Sequence, residues 1–314
     1  MKSYVSDFIK KIEGYGFKAQ VISFTNIEAI QSELENTKQT YEDVDTYIGK
    51  YLDKFYYENS KNLLEAKSII VIAVPQPIAR IHFTLDSKKH SVIMPPMYLL
   101  NASSEFEEKH KKIAEVTAIL EKVLSYENFK VIKLNIPCKL TAVKSGLGVY
   151  GRNNICYING ESSFYWLGAY ISDMPCENDA WQEHSVTMDT CKNCDLCLKN
   201  CPTGAIAKDR FIIHSNKCIT LQNESKEDFS KDLDSKWHNC LIGCLRCQII
   251  CPVNKKHIRN VEDITEFDEW ETRKILDETP LEELSEITYK KLELISFIED
   301  YDLLARNLKV LMSW

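Results

Sequence analysis

No run of eighteen apolar residues occurs in the 314-residue sequence, so no segment is suited to cross a bilayer as a helix. The opening Met1-Lys2-Ser3-Tyr4 carries neither an apolar signal core nor a twin arginine. A cytoplasmic protein with no membrane partner is the expectation. There is no low-complexity tract, and no internal repeat outside the cysteines. The net charge of −7 gives no broad basic footprint of the kind nucleic-acid binders show. Glycine is scarce, with ten in the chain, yet Gly146, Gly148 and Gly151 fall within six residues. Against these shortages stand twelve cysteines. In a reducing compartment, clustered cysteines are metal or catalytic ligands rather than disulfides.

The remaining composition is that of an ordinary soluble chain, 44% apolar and 27% charged. Charge is unevenly spread. Residues 129–158 hold Lys130, Lys133, Lys139, Lys144 and Arg152 and no acid, whereas residues 261–302 hold fifteen acids against four bases. An anionic ligand near the middle of the chain fits this asymmetry, and so do two solvated faces. Phe8, Ile9, Ile12 and Tyr15 are spaced for one helix face, and residues 41–57 and 104–124 read as further helices. Residues 17–24, 68–74, 81–85, 91–94, 129–134 and 154–158 read as strands, the second deeply buried because of its β-branched run. Acidic helical segments follow the cysteines and end in residues 289–312.

Cys191, Cys194, Cys197 and Cys201 are spaced C-x2-C-x2-C-x3-C and followed by Pro202. This is the bacterial ferredoxin run, in which the fourth thiolate ligates the other of two [4Fe–4S] clusters. Cys244, Cys247 and Cys251-Pro252 repeat the second half of that pattern. Two cubes need eight thiolates. Cys191, Cys194, Cys197 and Cys251 supply one set; Cys201, Cys244 and Cys247 supply three of the other. By spacing alone Cys218 and Cys240 compete for the last position. Zinc ribbons use two C-x2-C pairs rather than this arrangement. Cys138, Cys156 and Cys176 read as core thiols.

Gly146-Leu147-Gly148-Val149-Tyr150-Gly151 matches G-x-G-x-x-G, but the dinucleotide fingerprint must open a helix whose N-terminus holds a pyrophosphate. Here Arg152-Asn153-Asn154 and a strand-like segment follow. A tight turn, structural or approaching a ligand closely, is the plainer reading.

With the turn at Ser145–Asn153, Ser163-Phe-Tyr-Trp-Leu-Gly168, Pro202-Thr-Gly-Ala-Ile206, Lys217-Cys-Ile-Thr220, the run from Gly243 to Pro252 and the closing segment 301–312, the sequence resembles the epoxyqueuosine reductase family over roughly residues 65–312. The resemblance implies an α+β fold: a nitroreductase-like cobalamin and substrate domain over 1–180, a ferredoxin-like double [4Fe–4S] module over 181–258 and an acidic helical segment over 259–314. It implies that Cys218 completes the second cluster and that Gly146, Gly148, Tyr150, Gly151, Asn153 and Thr220 contact a cobalamin. It implies an oxidoreductase passing electrons from a ferredoxin or flavodoxin through both clusters to reduce a small molecule or modified nucleoside, with tRNA an open question as partner. The family's aspartate before the glycine turn has no counterpart in residues 133–144, where Asn135 is the nearest residue. Tyr98, after Met94-Pro-Pro-Met97, stands as the candidate proton donor. That missing acid leaves a non-catalytic electron-transfer or corrinoid-handling protein as the alternative.

Overall fold

The computed structural model describes residues 3–41, 55, 65–98 and 116–313. In chain order these form α1 (Tyr4–Glu13), β1 (Lys18–Ser23), α2 (Ile27–Thr40), β2 (Ser68–Pro75), β3 (Ile78–Leu85), β4 (Lys88–Met94), α3 (Val116–Ser125), β5 (Val131–Leu134), α4 (Cys138–Lys144), β6 (Gly148–Tyr150), β7 (Cys156–Ile158) and β8 (Tyr165–Ser172). They continue with α5 (Leu196–Asn200), α6 (Ile219–Glu224), α7 (Arg246–Ile249), β9 (Val261–Phe267), α8 (Glu269–Leu276), α9 (Glu286–Leu294) and α10 (Tyr301–Met312). The chain divides into two compact units. One comprises Met1–Pro75, Glu115–Asp195 and Asp209–Ile212; the other comprises Gln76–Ala114, Leu196–Lys208 and Ile213–Trp314.

The first unit is built on an antiparallel sheet in the order β1-β2-β8-β5. Strand β2 is central and every residue from Ser68 to Val74 is buried, which is why its sequence is a continuous β-branched run rather than an alternation. Ser3 caps α1 by accepting from the Ser6 amide, and the helix buries Val5, Phe8 and Ile12. Tyr15 is not on that face: α1 ends at Glu13, Gly16 takes a left-handed φ of 78°, and Tyr15 is exposed. Helix α4 and the β6–β7 hairpin pack on the sheet through Ala142, Val143, Leu147, Tyr150, Cys156 and Ile158. Of the helix expected over 104–124, α3 is the described part, and the one expected over 41–57 lies outside the described residues apart from Tyr41 and Phe55.

The second unit holds a three-stranded sheet in the order β4-β3-β9, with β3 and β4 antiparallel and β3 and β9 parallel. Residues 261–267 thus form a strand where the acidic composition suggested helix. Ile264 and Phe267 turn inward, and Phe267 stacks on Phe83 with ring centroids 4.8 Å apart. Helices α8, α9 and α10 close the core over this sheet through Ile275, Leu292, Leu304 and Leu308.

Candidate iron–sulfur centre

In the first unit the glycine cluster is a sequence of close approaches. Gly146 leaves α4 with φ of 74°, a conformation costly for residues with a Cβ. Gly148 pairs with Ile158, and a Cβ there would stand 2.6 Å from Cys156 Sγ. A Cβ on Gly151 would stand 2.6 Å from both the Asn153 carboxamide oxygen and the Tyr157 ring, and the buried Asn153 donates to Tyr157 Oη at 3.1 Å. Tyr150 is buried and packs edge-on against Phe211. No helix opens after the turn, as the sequence requires of a non-nucleotide site. The spaces that the missing side chains of Gly148 and Gly151 leave are taken by the chain's own atoms.

The same turn carries the start of the cysteine run. The Tyr150 amide donates to Val186 O and the Met188 amide to Tyr150 O, both at 2.8 Å. This fixes the segment that leads into the short 3-10 turn Asp189–Cys191. Arg152 then reaches the ligand residues directly. Its backbone N–H donates to Cys191 Sγ at 3.4 Å, and its guanidinium donates to Cys191 O at 2.6 Å and Cys194 O at 3.1 Å. Nothing in the sequence marks this contact except the position of an arginine directly after the glycine cluster.

The second unit contains Cys197, Cys201, Cys218, Cys240, Cys244, Cys247 and Cys251. Cys218, at the entrance of α6, is half-buried, and desolvation raises its thiol; the backbone N–H and hydroxyl of Thr220 donate to the sulfur and oppose that rise, while Cys201 adds to it. Cys244 lies within electrostatic reach of both Cys218 and Cys201; burial pushes it up to about 12 against the Arg246 amide, which donates to its sulfur. Cys201, Cys218 and Cys244 are thus electrostatic neighbours of one another. Thr220 stands as a hydrogen-bond donor to Cys218. Cys240 is also buried here, and Cys244 and, more weakly, Cys247 are its like-charge neighbours. Burial of this kind disfavours free thiolates, so iron must displace the protons to bind. Among the described residues no three His, Cys, Asp or Glu side chains converge on a single ion. A cube takes each thiolate at a different iron, so its ligands surround a volume instead of a point.

A buried network holds the loop between Cys218 and Cys244. Asn223 donates to Gly243 O at 2.8 Å, and its carboxamide oxygen meets His238 Nδ1 at 2.8 Å. From α10, Asn307 donates to Asn223 O and Leu241 O, each at 2.9 Å, and Arg306 donates to Gln222 O at 3.0 Å. These polar residues join positions some 80 residues apart, which no local pattern reveals. Tyr98 is in this unit too. Its hydroxyl donates to the Glu224 carboxylate, and its ring lies over Gly243, where a Cβ would stand 2.6 Å from it. Burial, followed by Glu224, holds the Tyr98 hydroxyl well above its usual value, and burial raises Glu224 as well.

The basic stretch of the first unit is partly consumed internally. Lys144 is buried, 2.6 Å from a Glu33 carboxylate oxygen and 2.9 Å from Glu183 O. Lys133 sits over the Trp166 ring and Lys139 donates to Asn154 O at 3.2 Å. Of the remaining thiols, Cys156 is buried in the core and pushed up to about 12, and Cys138 is pushed up to about 11, both chiefly by burial. Cys176 donates to Asn178 O at 3.6 Å.

Residues 190–254 match the 4Fe-4S double cluster binding domain family. The chain is 29% identical over 177 residues to an epoxyqueuosine reductase from Francisella cf. novicida, covering 55% of this chain and 47% of the relative. It is 37% identical over 115 residues to that of Cyclobacterium marinum, covering 36% of each. The matched segments thus span half or less of these curated relatives. Among solved structures, the epoxyqueuosine reductase of Streptococcus thermophilus superimposes with a TM-score of 0.61 at 20% identity, over 99% of this chain and 81% of that one. An epoxyqueuosine reductase with an epoxyqueuosine-modified tRNA stem loop gives 0.64 at 19% identity, over 98% and 80%. In sequence this chain is similar to the epoxyqueuosine reductases over about half of its length, and it shares the α+β fold of their solved structures.

Proposed function

We propose that the chain is a cytoplasmic iron–sulfur reductase that carries two [4Fe–4S] clusters. Cys191, Cys194, Cys197 and Cys251 hold one; Cys201, Cys218, Cys244 and Cys247 hold the other. The observation that carries this is the shared neighbourhood of Cys201, Cys218 and Cys244, with Thr220 donating to the Cys218 sulfur. Hydrogen bonds to ligand sulfurs are a means by which proteins set cluster potentials. Cys218, rather than Cys240, is the eighth ligand: Cys218→Ser lowers the iron content by about half while Cys240→Ser leaves it near eight per chain. The reverse result refutes the assignment.

Single electrons enter from a low-potential ferredoxin or flavodoxin and leave for a small molecule or modified nucleoside. The relative solved with a modified tRNA stem loop makes a tRNA-borne nucleoside the first substrate to test. A cobalamin, when bound, would supply the two-electron chemistry at a carbon centre. Gly146, Gly148, Tyr150, Gly151, Asn153 and Thr220 would contact it; Gly148, Tyr150, Gly151 and Asn153 also serve internal packing and Thr220 bonds to Cys218, so no step of the reaction is assigned to them. Tyr98, hydrogen-bonded to Glu224, holds the proton that a reduction would consume. Anaerobic purification with added cobalamin tests the acceptor: a corrinoid absorption that shifts on reduction supports it. Two intact clusters with no corrinoid bound would leave an electron-transfer protein, a reading favoured by the acid-free stretch 133–144.

A further inference from the structure

We propose that Arg152 is a positioning residue that both shapes and electrostatically tunes the cluster held by Cys191 and Cys194. The inference rests on the two-cluster reading above. Three donors of one residue converge on the two ligand residues: the amide on Cys191 Sγ at 3.4 Å, and the guanidinium on the carbonyls of Cys191 at 2.6 Å and Cys194 at 3.1 Å. The turn's own closing bond, from the Cys194 amide to Cys191 O, is long at 3.4 Å. The guanidinium fork therefore spans a ligand loop that its backbone holds weakly, and the planar five-donor group suits two carbonyls better than a lysine would. The strand-like bonds of Tyr150 to Val186 and Met188 fix Arg152 in place from behind.

The electrostatic part follows from the partners. Among the described residues, those of Arg152 are two carbonyls and a thiol, with no carboxylate to neutralise it. Reduction adds an electron to a cluster already surrounded by thiolates. A fixed cation and an N–H···S bond both stabilise the reduced form, so they raise its potential. Arg246, in the other ligand set, likewise donates its amide to the Cys244 sulfur. Its guanidinium differs: it donates to Trp237 O at 2.8 Å and Lys236 O at 2.8 Å, neither of which is a ligand residue. The contacts of Arg152 are thus made to one ligand set, where its effect on potential should be the larger.

The test is an anaerobic redox titration of the full chain followed by electron paramagnetic resonance, on wild type, Arg152→Gln and Arg152→Lys. The expected result is that R152Q moves one midpoint to more negative potential and the other by less, and that R152K, which keeps the charge without the fork, moves the first less. Loss of half the iron from R152Q with an unchanged far-ultraviolet spectrum supports the shaping role. R152Q with its full iron and both midpoints at wild-type values overturns the proposal, as does an equal shift of both. Loss of the fold in both variants also overturns it, leaving only a general structural role. Wild-type protein with about four irons overturns the two-cluster reading by itself. The Arg152 inference then stands or falls on whether the single midpoint moves in R152Q.

Discussion

Asn307 on α10 is the residue whose loss most directly isolates the support of the second ligand set. Its carboxamide donates to two carbonyls, Asn223 O and Leu241 O, each at 2.9 Å, and the side chain is 1% exposed. Asn307→Ala leaves both acceptors in a dry environment. Asn223 O keeps only a 3.4 Å contact with Arg306. At about 1–3 kcal/mol for a buried group left without its partner, partly relieved at Asn223, the variant costs about 2–4 kcal/mol. That corresponds to a fall of roughly 3–6 °C in the melting midpoint of a chain this long. Asn307→Asp keeps the shape and the bonds accepted from Arg306 at 3.0 and 3.2 Å, but sets a carboxylate oxygen against two carbonyls, so it also lowers the midpoint. Lys309→Ala, on the same helix with an exposed ion pair to Glu278, stays within about 0.5 kcal/mol of wild type. Denaturant unfolding and iron analysis on the three variants check this, with iron lost preferentially from the set that contains Cys218. If N307A and N307D both unfold at the wild-type midpoint with full iron, the network does not hold the loop.

Two further outcomes follow from the charge arrangement. Glu33→Gln leaves the Lys144 ammonium buried without its counter-charge, whereas Lys144→Met replaces it with an apolar chain of similar length. E33Q therefore destabilises more, by about 1–3 kcal/mol once the one-third exposure of Glu33 is allowed for, and equal denaturant midpoints would refute this. Asp263 accepts from Arg80 and from His82 Nε2, which hold its carboxyl well below its ordinary value. A depressed carboxyl contributes stability that is fully present above its unfolded value of about 4 and is lost as pH falls through its lower folded value. Acid unfolding followed by circular dichroism should thus lose part of its slope below pH of about 4 in Asp263→Asn, and an unchanged acid limb would dismiss the contribution.

What the sequence made legible is local. The spacing of Cys191, Cys194, Cys197 and Cys201 encodes ligand geometry within a few residues, and the β-branched run of β2 encodes burial on both faces. The non-helical exit from the glycine cluster was readable because Arg152-Asn153-Asn154 cannot open the helix that a nucleotide site needs. The illegible parts are contacts whose partners are remote. Strand β9 looks acidic and helical until Ile264 and Phe267 are seen against β3. Asn223 and Asn307 are unremarkable asparagines until α10 packs beside the loop. Arg152 counted as one of five basic residues, and only the fold shows that its charge is directed at two cysteines.

The parallel pairing of β3 with β9 has a consequence for how the protein is made. Partners such as Ile78 and Val261 are 183 residues apart in the chain. Pairing so distant gives high contact order, and such pairings form late and slowly. During synthesis β3 and β4 emerge as a hairpin with an unpaired edge and wait until β9 has left the ribosome. By then every cysteine of the run has already been translated. Until β9 pairs, the edge of β3 stays open, and an open strand edge is one at which chains aggregate.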